Sequence, residues 1–551
     1  MPEPSDRRDL AVSATAHGDR ALESGLPTAV DEGTVPMTTV ETSEPSGGSV
    51  ASKGLKAGAL GLTATIVIGV ASTAPGYSLA ASVGYVTGEV GLQAPAIMLV
   101  AFIPMAFIAA SYFYMNRADP DCGTTFTWAT RAMGPRSGWL GGWGIIMADL
   151  VIMPNLGGIT AQYTFLLFGA DGLAGNRWAV LALGCAYILA MTWICVTGIE
   201  LSARSQVLLL GTEILVLVLF SIMALVEVYG SDPPKGSVKP ALSWINPFAI
   251  HSWGALTGGV LVALFIYWGW DTAVTVNEEC EDANTTPGKA AIWSTVILLL
   301  VYVTVTIGAQ AAKGPGFLTN HPDDALGAVG DVVLGSTVNK LLILAVLSSA
   351  MASTQTTILP AARSLLSMGS HKAAPAVLAE INRKHLTPAW SSWFFGIVAC
   401  GWFVLLVAIG GEAQNPYYAS IAAVGLMIAF YYGLTGIVCV VYYRKYLLHS
   451  WRNFVFVGVL PGVGGIVLAF IFVKSLIDNF NDTESYGSLL GAGSVFTIGV
   501  GLLLLGVPLM LWCQAKYPEF FRIQRDPQST IPNPDGTGEP APELGTFRKG
   551  D

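Results

Sequence analysis

Phe265-Ile266-Tyr267-Trp268-Gly269-Trp270-Asp271 is an apolar run broken by a glycine between two tryptophans and closed by an aspartate. Asn277-Glu278-Glu279 follows, and Pro287-Gly288-Lys289 ends the segment. An ionisable group inside a long hydrophobic helix is costly unless it faces a cavity or a partner, so such a residue marks a working part of the membrane span. A second interruption, Ser72-Thr73-Ala74-Pro75-Gly76, lies near the start of the apolar region. Paired broken helices in corresponding halves of a membrane chain point to a solute site near the bilayer midplane.

Working outward, the composition agrees. The 551 residues are 53% hydrophobic and 12% charged, with 62 glycines and a mean hydropathy of +0.57. Soluble domains carry roughly a quarter charged residues. Runs of about 20 apolar residues cross a bilayer as helices, and roughly a dozen such runs are present. Long strand-like alternation is missing, so the fold class is an all-α polytopic membrane protein.

The formal charge of -9 says little about partners, because much of the acid lies in the ends. Residues 1–55 mix acids with Ser, Thr, Gly and Pro, and residues 515–551 end in a Pro-rich acidic stretch. Neither composition builds a core, so both read as disordered tails. The first lacks the basic start and apolar core of a signal peptide. The seven cysteines are scattered without metal-finger spacing and read as packing residues. The six histidines form no ligand set, so no metal or other cofactor is expected.

Helices are expected near 58–84, 94–115, 138–169, 178–197 and 203–229 in the first half. The second half reads 253–280, 289–312, 336–369, 388–410 and 416–443, then 453–475 and 488–513. Residues 124–133 read as a short amphipathic helix too polar to span, and Asp323 to Leu334 as a matching lid helix. Twelve crossings put both termini on one side. Arg117, Arg131, Arg136, Arg204, Arg363, Lys372, Arg444 and Lys445 fall on that side, which makes it cytoplasmic.

Four stretches carry a family resemblance. One is Gly269-Trp270-Asp271 with Glu278-Glu279 and Pro287. Another runs from Asp119-Pro120-Asp121-Cys122-Gly123 through Gly134-Pro135 to Gly141-Gly142-Trp143. The others are Gly198-Ile199-Glu200-Leu201-Ser202-Ala203-Arg204, and Ala362-Arg363-Ser364-Leu365-Leu366-Ser367-Met368 with Ala374-Pro375 and Leu386-Thr387-Pro388-Ala389-Trp390. In this order and spacing, over about residues 58–445, the chain resembles the amino acid–polyamine–organocation permeases, especially bacterial amino acid permeases and cationic-amino-acid-transporter-like members. The resemblance implies a transport core at 56–445 built of two inverted five-helix repeats, about 58–229 and 253–443, of LeuT-like form. Two additional helices occupy 446–514. The first and sixth helices would unwind around the substrate.

Unwinding frees backbone donors and acceptors, which only a buried or watered site tolerates. Ser72, Thr73, Ala74 and Gly76 are the candidate substrate-binding residues of the first break. Tyr267, Trp268, Gly269, Trp270 and Asp271 are those of the second. The tryptophans either wall the pocket or anchor at the lipid interface, and Asp271 either faces the site or caps a half-helix. Many relatives place a Gly-x-Gly stretch in the first break to hold a carboxylate. Here Pro75 removes one donor, which leaves room for an amine.

Some proton-coupled relatives carry a lysine on the fifth helix where Glu213 stands. Glu213 and Asp149 are therefore the candidate coupling carboxyls, with structural pairing as the alternative. Ser349 and Ser353 share one helix face and read as packing serines rather than a sodium site. Glu279 and Arg363 are candidates for a charged gate.

The expectation is a plasma-membrane permease, with both termini cytoplasmic, importing an amino acid by alternating access with proton coupling. An amine or polyamine transporter, or an exchanger, is the alternative. Expected partners are the bilayer, an amino acid or amine and a proton, with no nucleic acid; oligomeric state is open. No catalytic constellation or P-loop points to an enzyme, and no filter repeat to a channel. A nutrient sensor retaining the site without turnover has only the long N-terminal tail in its favour.

Overall fold

The computed structural model describes residues 53–322, 324–410, 415–484, 487–523 and 534. The expected N-terminal tail up to residue 52, residues 524–533 and 535–551 of the expected C-terminal tail, and Asp323 of the expected lid lie outside the described residues. Residues 53–55, assigned to the N-terminal tail by composition, are packed: Leu55 is buried against Cys122 and Leu366.

The chain opens with α1 (Leu62–Ser72) and α2 (Pro75–Val90), separated by the first break. Next come α3 (Ala94–Ala118), the short α4 (Thr125–Met133), α5 (Pro135–Leu167), α6 (Arg177–Thr197) and α7 (Ile199–Tyr229). The second half begins with α8 (Trp253–Ile266), the second break, and the single turn α9 (Thr272–Thr275). It continues with α10 (Thr286–Thr319), α11 (Ala325–Val333), α12 (Lys340–Ser370), α13 (Ala389–Gly410) and α14 (Asn415–Tyr442). Finally, α15 (Leu460–Asn481) follows a π-helical turn at Phe454–Val459, and α16 (Ser494–Lys516) closes the fold.

Prolines sit in the first turns of α2, α3, α5 and α10, where the missing N–H is no loss. The last helix was expected to begin near 488. Instead a small hairpin, β1 (Ser488–Leu489) with β2 (Ala492–Gly493), precedes it. Leu490 and Gly491 both take positive φ there, a conformation a helix excludes.

Among the described residues, ten helical stretches are long and apolar enough to cross a membrane, one of them running Leu62–Ala118 through its interruptions. The chain is a polytopic helical membrane protein. Leu208 on α7, Ile397 on α13 and Ile466 on α15 expose 60% or more of their surface, as lipid-facing side chains do. Association between helices then rests on close packing rather than on escape from water. A side chain on Gly436 would lie 2.7 Å from the Pro461 carbonyl and 2.9 Å from Gly465, so α14 and α15 cross with their backbones in contact.

α5, α6, α12 and α13 pack on one another. Against this group lean α1, α2 and α9, which also pack on α7, α8, α10 and α11. Both breaks therefore fall where the two sets of helices meet.

Candidate functional site

α1 ends at Ser72, and Ala74 takes a left-handed conformation (φ 46°, ψ 62°) before Pro75 restarts the helix. In the second break Gly269 has φ +116°, a conformation side chains rarely adopt, and a Cβ there would lie 2.8 Å from the Ser72 carbonyl oxygen. Glycine at this position lets the two breaks touch. Ser72 Oγ and Thr272 Oγ1 lie 2.9 Å apart, tying the breaks together.

Two serines fasten the first break to α12. Ser353 donates to the Ser72 carbonyl at 2.9 Å. Ser349 donates to Glu213 Oε1 at 2.9 Å and accepts from the Tyr77 amide at 3.2 Å. The expectation of plain packing serines is too weak: both hold freed backbone or its buried carboxylate.

Glu213, fully buried on α7, also accepts the Gly76 N–H at 2.5 Å through the same oxygen. Its Oε2 has no protein partner. The α2 N-terminus thus points its positive end at a carboxylate of the chain itself.

Asp271 is 3% exposed, and its side chain does not cap α9. Its carboxylate accepts from Tyr432 at 2.7 Å, Tyr431 at 3.1 Å and Tyr112 at 3.5 Å. Asp149 on α5 is near enough to interact electrostatically with Asp271, and its buried Oδ2 is unpartnered. Trp268 and Trp270 are both buried, so neither anchors at a lipid interface. Trp270 lies against Tyr112 and Tyr432, each with ring centroids 5.2 Å away, and its indole N–H has no partner.

A cavity of about 1140 Å³ opens beside the breaks. Tyr77 and Ser78, just after the first break, line it, as do Leu264 and Phe265, just before the second. Arg177, Asp324 and Asn479 mark its farther reaches. The substrate-binding residues expected from sequence do not line it: Ser72, Thr73, Ala74, Gly76 and Tyr267 through Asp271 are buried at the closed junction next to it.

The face at which the described residues begin is sealed. Arg363 donates through Nε and Nη2 to Glu279 Oε2 at 2.7 and 2.5 Å, both residues almost wholly buried. Leu60 pairs with this segment by backbone bonds, accepting from Glu281 and donating to Glu279, both at 3.0 Å.

Lys53 adds a second tie. Its ammonium bonds Glu278, lies 2.8 Å from Asp121 and approaches Cys122 Sγ at 3.7 Å. Ligand atoms of Asp121, Cys122 and Glu278 lie within 4.8 Å of one another, a cage for a cation, and the lysine supplies that cation. Burial alone would push the Asp121 carboxyl up, but Lys53 and His371 hold it well below the usual carboxylate range. Burial likewise opposes the Lys53 ammonium, yet Asp121, Cys122 and Glu278 raise it well above its ordinary value.

Sequence reasoning did not find Lys53, which sits at the edge of a tail-like stretch. It also missed Tyr112, Tyr431 and Tyr432, because a tyrosine in an apolar helix carries no signal of which way its hydroxyl points. Gln206 and Gln355, bonded at 2.9 Å between α7 and α12, left only the faint mark of amides inside long spans.

Membrane-crossing helices of which two are opened side by side, around buried carboxyls and next to a cavity, make a solute permease rather than an enzyme. Residues 58–511 match the amino acid permease family, and the chain belongs to it, within the amino acid–polyamine–organocation superfamily. It is 23% identical to the branched-chain amino acid permease BcaP of Bacillus subtilis (strain 168), over 63% of this chain and 73% of that one. The protein of the same name from Lactococcus lactis is 22% identical, over 68% and 80%. The low-affinity putrescine importer PlaP of Escherichia coli (strain K12) is 24% identical, over 46% and 53%.

Proposed function

We propose that this permease is a secondary-active importer of an amino acid or related amine, working by alternating access in the plasma membrane with proton coupling. The observation that carries this reading is the abutment of the two breaks, Gly269 against Ser72, between a cavity on one side and the Glu279–Arg363 seal on the other. Twelve crossings, counting α1 with α2 and α8 with α9 as single broken spans, and a core of two inverted repeats over 56–445, fit this arrangement. With the basic loops on the N-terminal side, that side is cytoplasmic, and the conformation is open outward and closed inward.

Solute entering past Tyr77 and Phe265 would reach the junction, where Ser72, Thr73, Gly76, Trp268, Trp270 and Asp271 would close on it. Opening inward requires the Glu279–Arg363 and Lys53 ties to part as the cavity shuts. Glu213 Oε2 and Asp149 Oδ2 are buried oxygens without partners, and taking up a proton would remove the cost of a buried charge at either one. Relatives whose names state branched-chain amino acid and putrescine transport support the substrate range.

Uptake into proteoliposomes, with and without an imposed proton gradient, tests the proposal. Gradient-dependent accumulation of a labelled amino acid or amine supports it, and loss of gradient dependence in Glu213→Gln or Asp149→Asn identifies the coupling carboxyl. Uptake only against preloaded substrate would replace import by exchange.

A further inference from the structure

We infer that Glu213 sets substrate specificity by occupying the place of a substrate carboxylate, so that the solute is an organic ammonium ion without a carboxylate. The inference rests on the permease reading and narrows it.

A helix N-terminus opened at mid-membrane is a ready anion site, because its first N–H groups lack intrahelical partners. In α2 those groups are already used. Pro75 has no N–H, Gly76 donates to Glu213 at 2.5 Å, and Tyr77 donates to Ser349 at 3.2 Å. The next amide, Ser78, already bonds back to the Ala74 carbonyl at 2.8 Å. At the second break the amides of Tyr267 and Trp268 turn back onto Leu264 and Phe265, Gly269 donates to Tyr432, and Thr272 donates to the Gly269 carbonyl. A substrate carboxylate arriving here finds these donors taken and the Glu213 carboxyl already seated at the helix end.

The titratable side chains bonded at the junction are acids and phenols. Asp149 on α5 and Asp271 in the second break are both buried, and Glu213 bonds the start of α2. None of the ion pairs among the described residues reaches any of the three. The titratable groups that bond Asp271 from neighbouring helices are Tyr112, Tyr431 and Tyr432, while the Tyr302 hydroxyl on α10 donates to the Ile266 carbonyl. Carboxyls, phenols and the indole rings of Trp268 and Trp270 suit an ammonium group, which a carboxylate boundary and aromatic faces both attract. A second negative charge brought by an amino acid would find the Trp270 indole N–H as an unpartnered donor but no basic side chain at the junction itself, Arg177 lying in the farther reaches of the cavity.

Matched pairs differing only by the carboxylate provide the test: cadaverine against lysine, putrescine against ornithine, isopentylamine against leucine. Binding to the full-length protein in detergent is measured by calorimetry, and uptake in proteoliposomes by label. Each amine is expected to bind at least about tenfold more tightly than its parent, the discrimination carried by a single unmade charge-assisted hydrogen bond. Parents bound as tightly as their amines, or no binding of any of the six, would overturn the inference. Amine binding without flux would preserve it while the permease reading failed.

Glu213→Ala frees Gly76 N–H and Ser349 Oγ and is expected to improve parent amino acid binding about tenfold. Glu213→Gln keeps an acceptor on Gly76 and the fold-preserving contact, and is expected to keep excluding the parents. Unchanged discrimination in Glu213→Ala that folds as wild type would show that Glu213 is not the excluding group.

Discussion

Removing the charge of Glu279 is the sharpest perturbation of the closed face. Arg363 is 2% exposed and Glu279 0%, and both guanidinium bonds converge on one carboxylate oxygen. The second oxygen has no partner, and the guanidinium's other bond is a long one from Nη1 to the Leu359 carbonyl at 3.5 Å. Breaking a buried pair by deleting one partner costs about 3–5 kcal/mol, because the other charge is left uncompensated. Glu279→Gln keeps the shape and one acceptor, so about 3 kcal/mol is the appropriate figure.

If the pair exists only while the N-terminal face is closed, that energy moves the closed-to-open equilibrium by about two orders of magnitude. Cys280, the next residue, is 4% exposed and packed against Thr65. It reports opening when the other cysteines are replaced. Maleimide labelling of Cys280 from the N-terminal side is expected to accelerate by about a hundredfold in Glu279→Gln. The double swap Glu279→Arg with Arg363→Glu should recover part of the closed state and of uptake. A wild-type labelling rate in a variant that melts earlier would refute the reasoning, since the pair would then hold the fold and not the gate.

Two other outcomes follow from the geometry. Gly269→Ala adds a methyl 2.8 Å from the Ser72 carbonyl at φ +116°; strain of about 1–3 kcal/mol should lower the melting temperature and abolish uptake by parting the breaks. The Lys53–Asp121 tie, at the membrane surface, should be insensitive to pH across the neutral range. The depressed Asp121 carboxyl contributes stability that is present above its ordinary 3.8 and is lost only as pH falls through its lower folded value. The raised Lys53 contributes stability that is complete below 10.5 and is lost only as pH rises through its higher folded value. Labelling of Cys122, compared at one fixed pH because only the thiolate reacts, should therefore be faster in Lys53→Ala than in the unaltered protein; equal rates would contradict this tie.

Legibility differed between elements for physical reasons. The spans were readable because a bilayer demands about 20 apolar residues per crossing whatever the fold. The two breaks were readable because proline and glycine announce themselves without neighbours, and Arg363 and Glu279 because charges in apolar helices must find one another. The start of α16 was misplaced, since Leu489 and Leu490 are apolar enough to continue a helix and only the glycines around them, forming β1 and β2, forbid it. Lys53 was hidden because its worth depends on Asp121 and Glu278, which lie far away in the chain.

Sequence alone determined that this is a helical membrane protein with two interrupted spans carrying polar groups, since the composition and spacing that decide this are local. Only the tertiary structure decided what those groups face. Glu213 turned out to sit on Gly76 and Ser349 at the start of α2, and Asp271 inside three tyrosine hydroxyls contributed by two other helices. Hydrogen bonds of under about 3.5 Å are set by how helices rotate and cross, and the hydropathy of a span leaves that rotation undetermined.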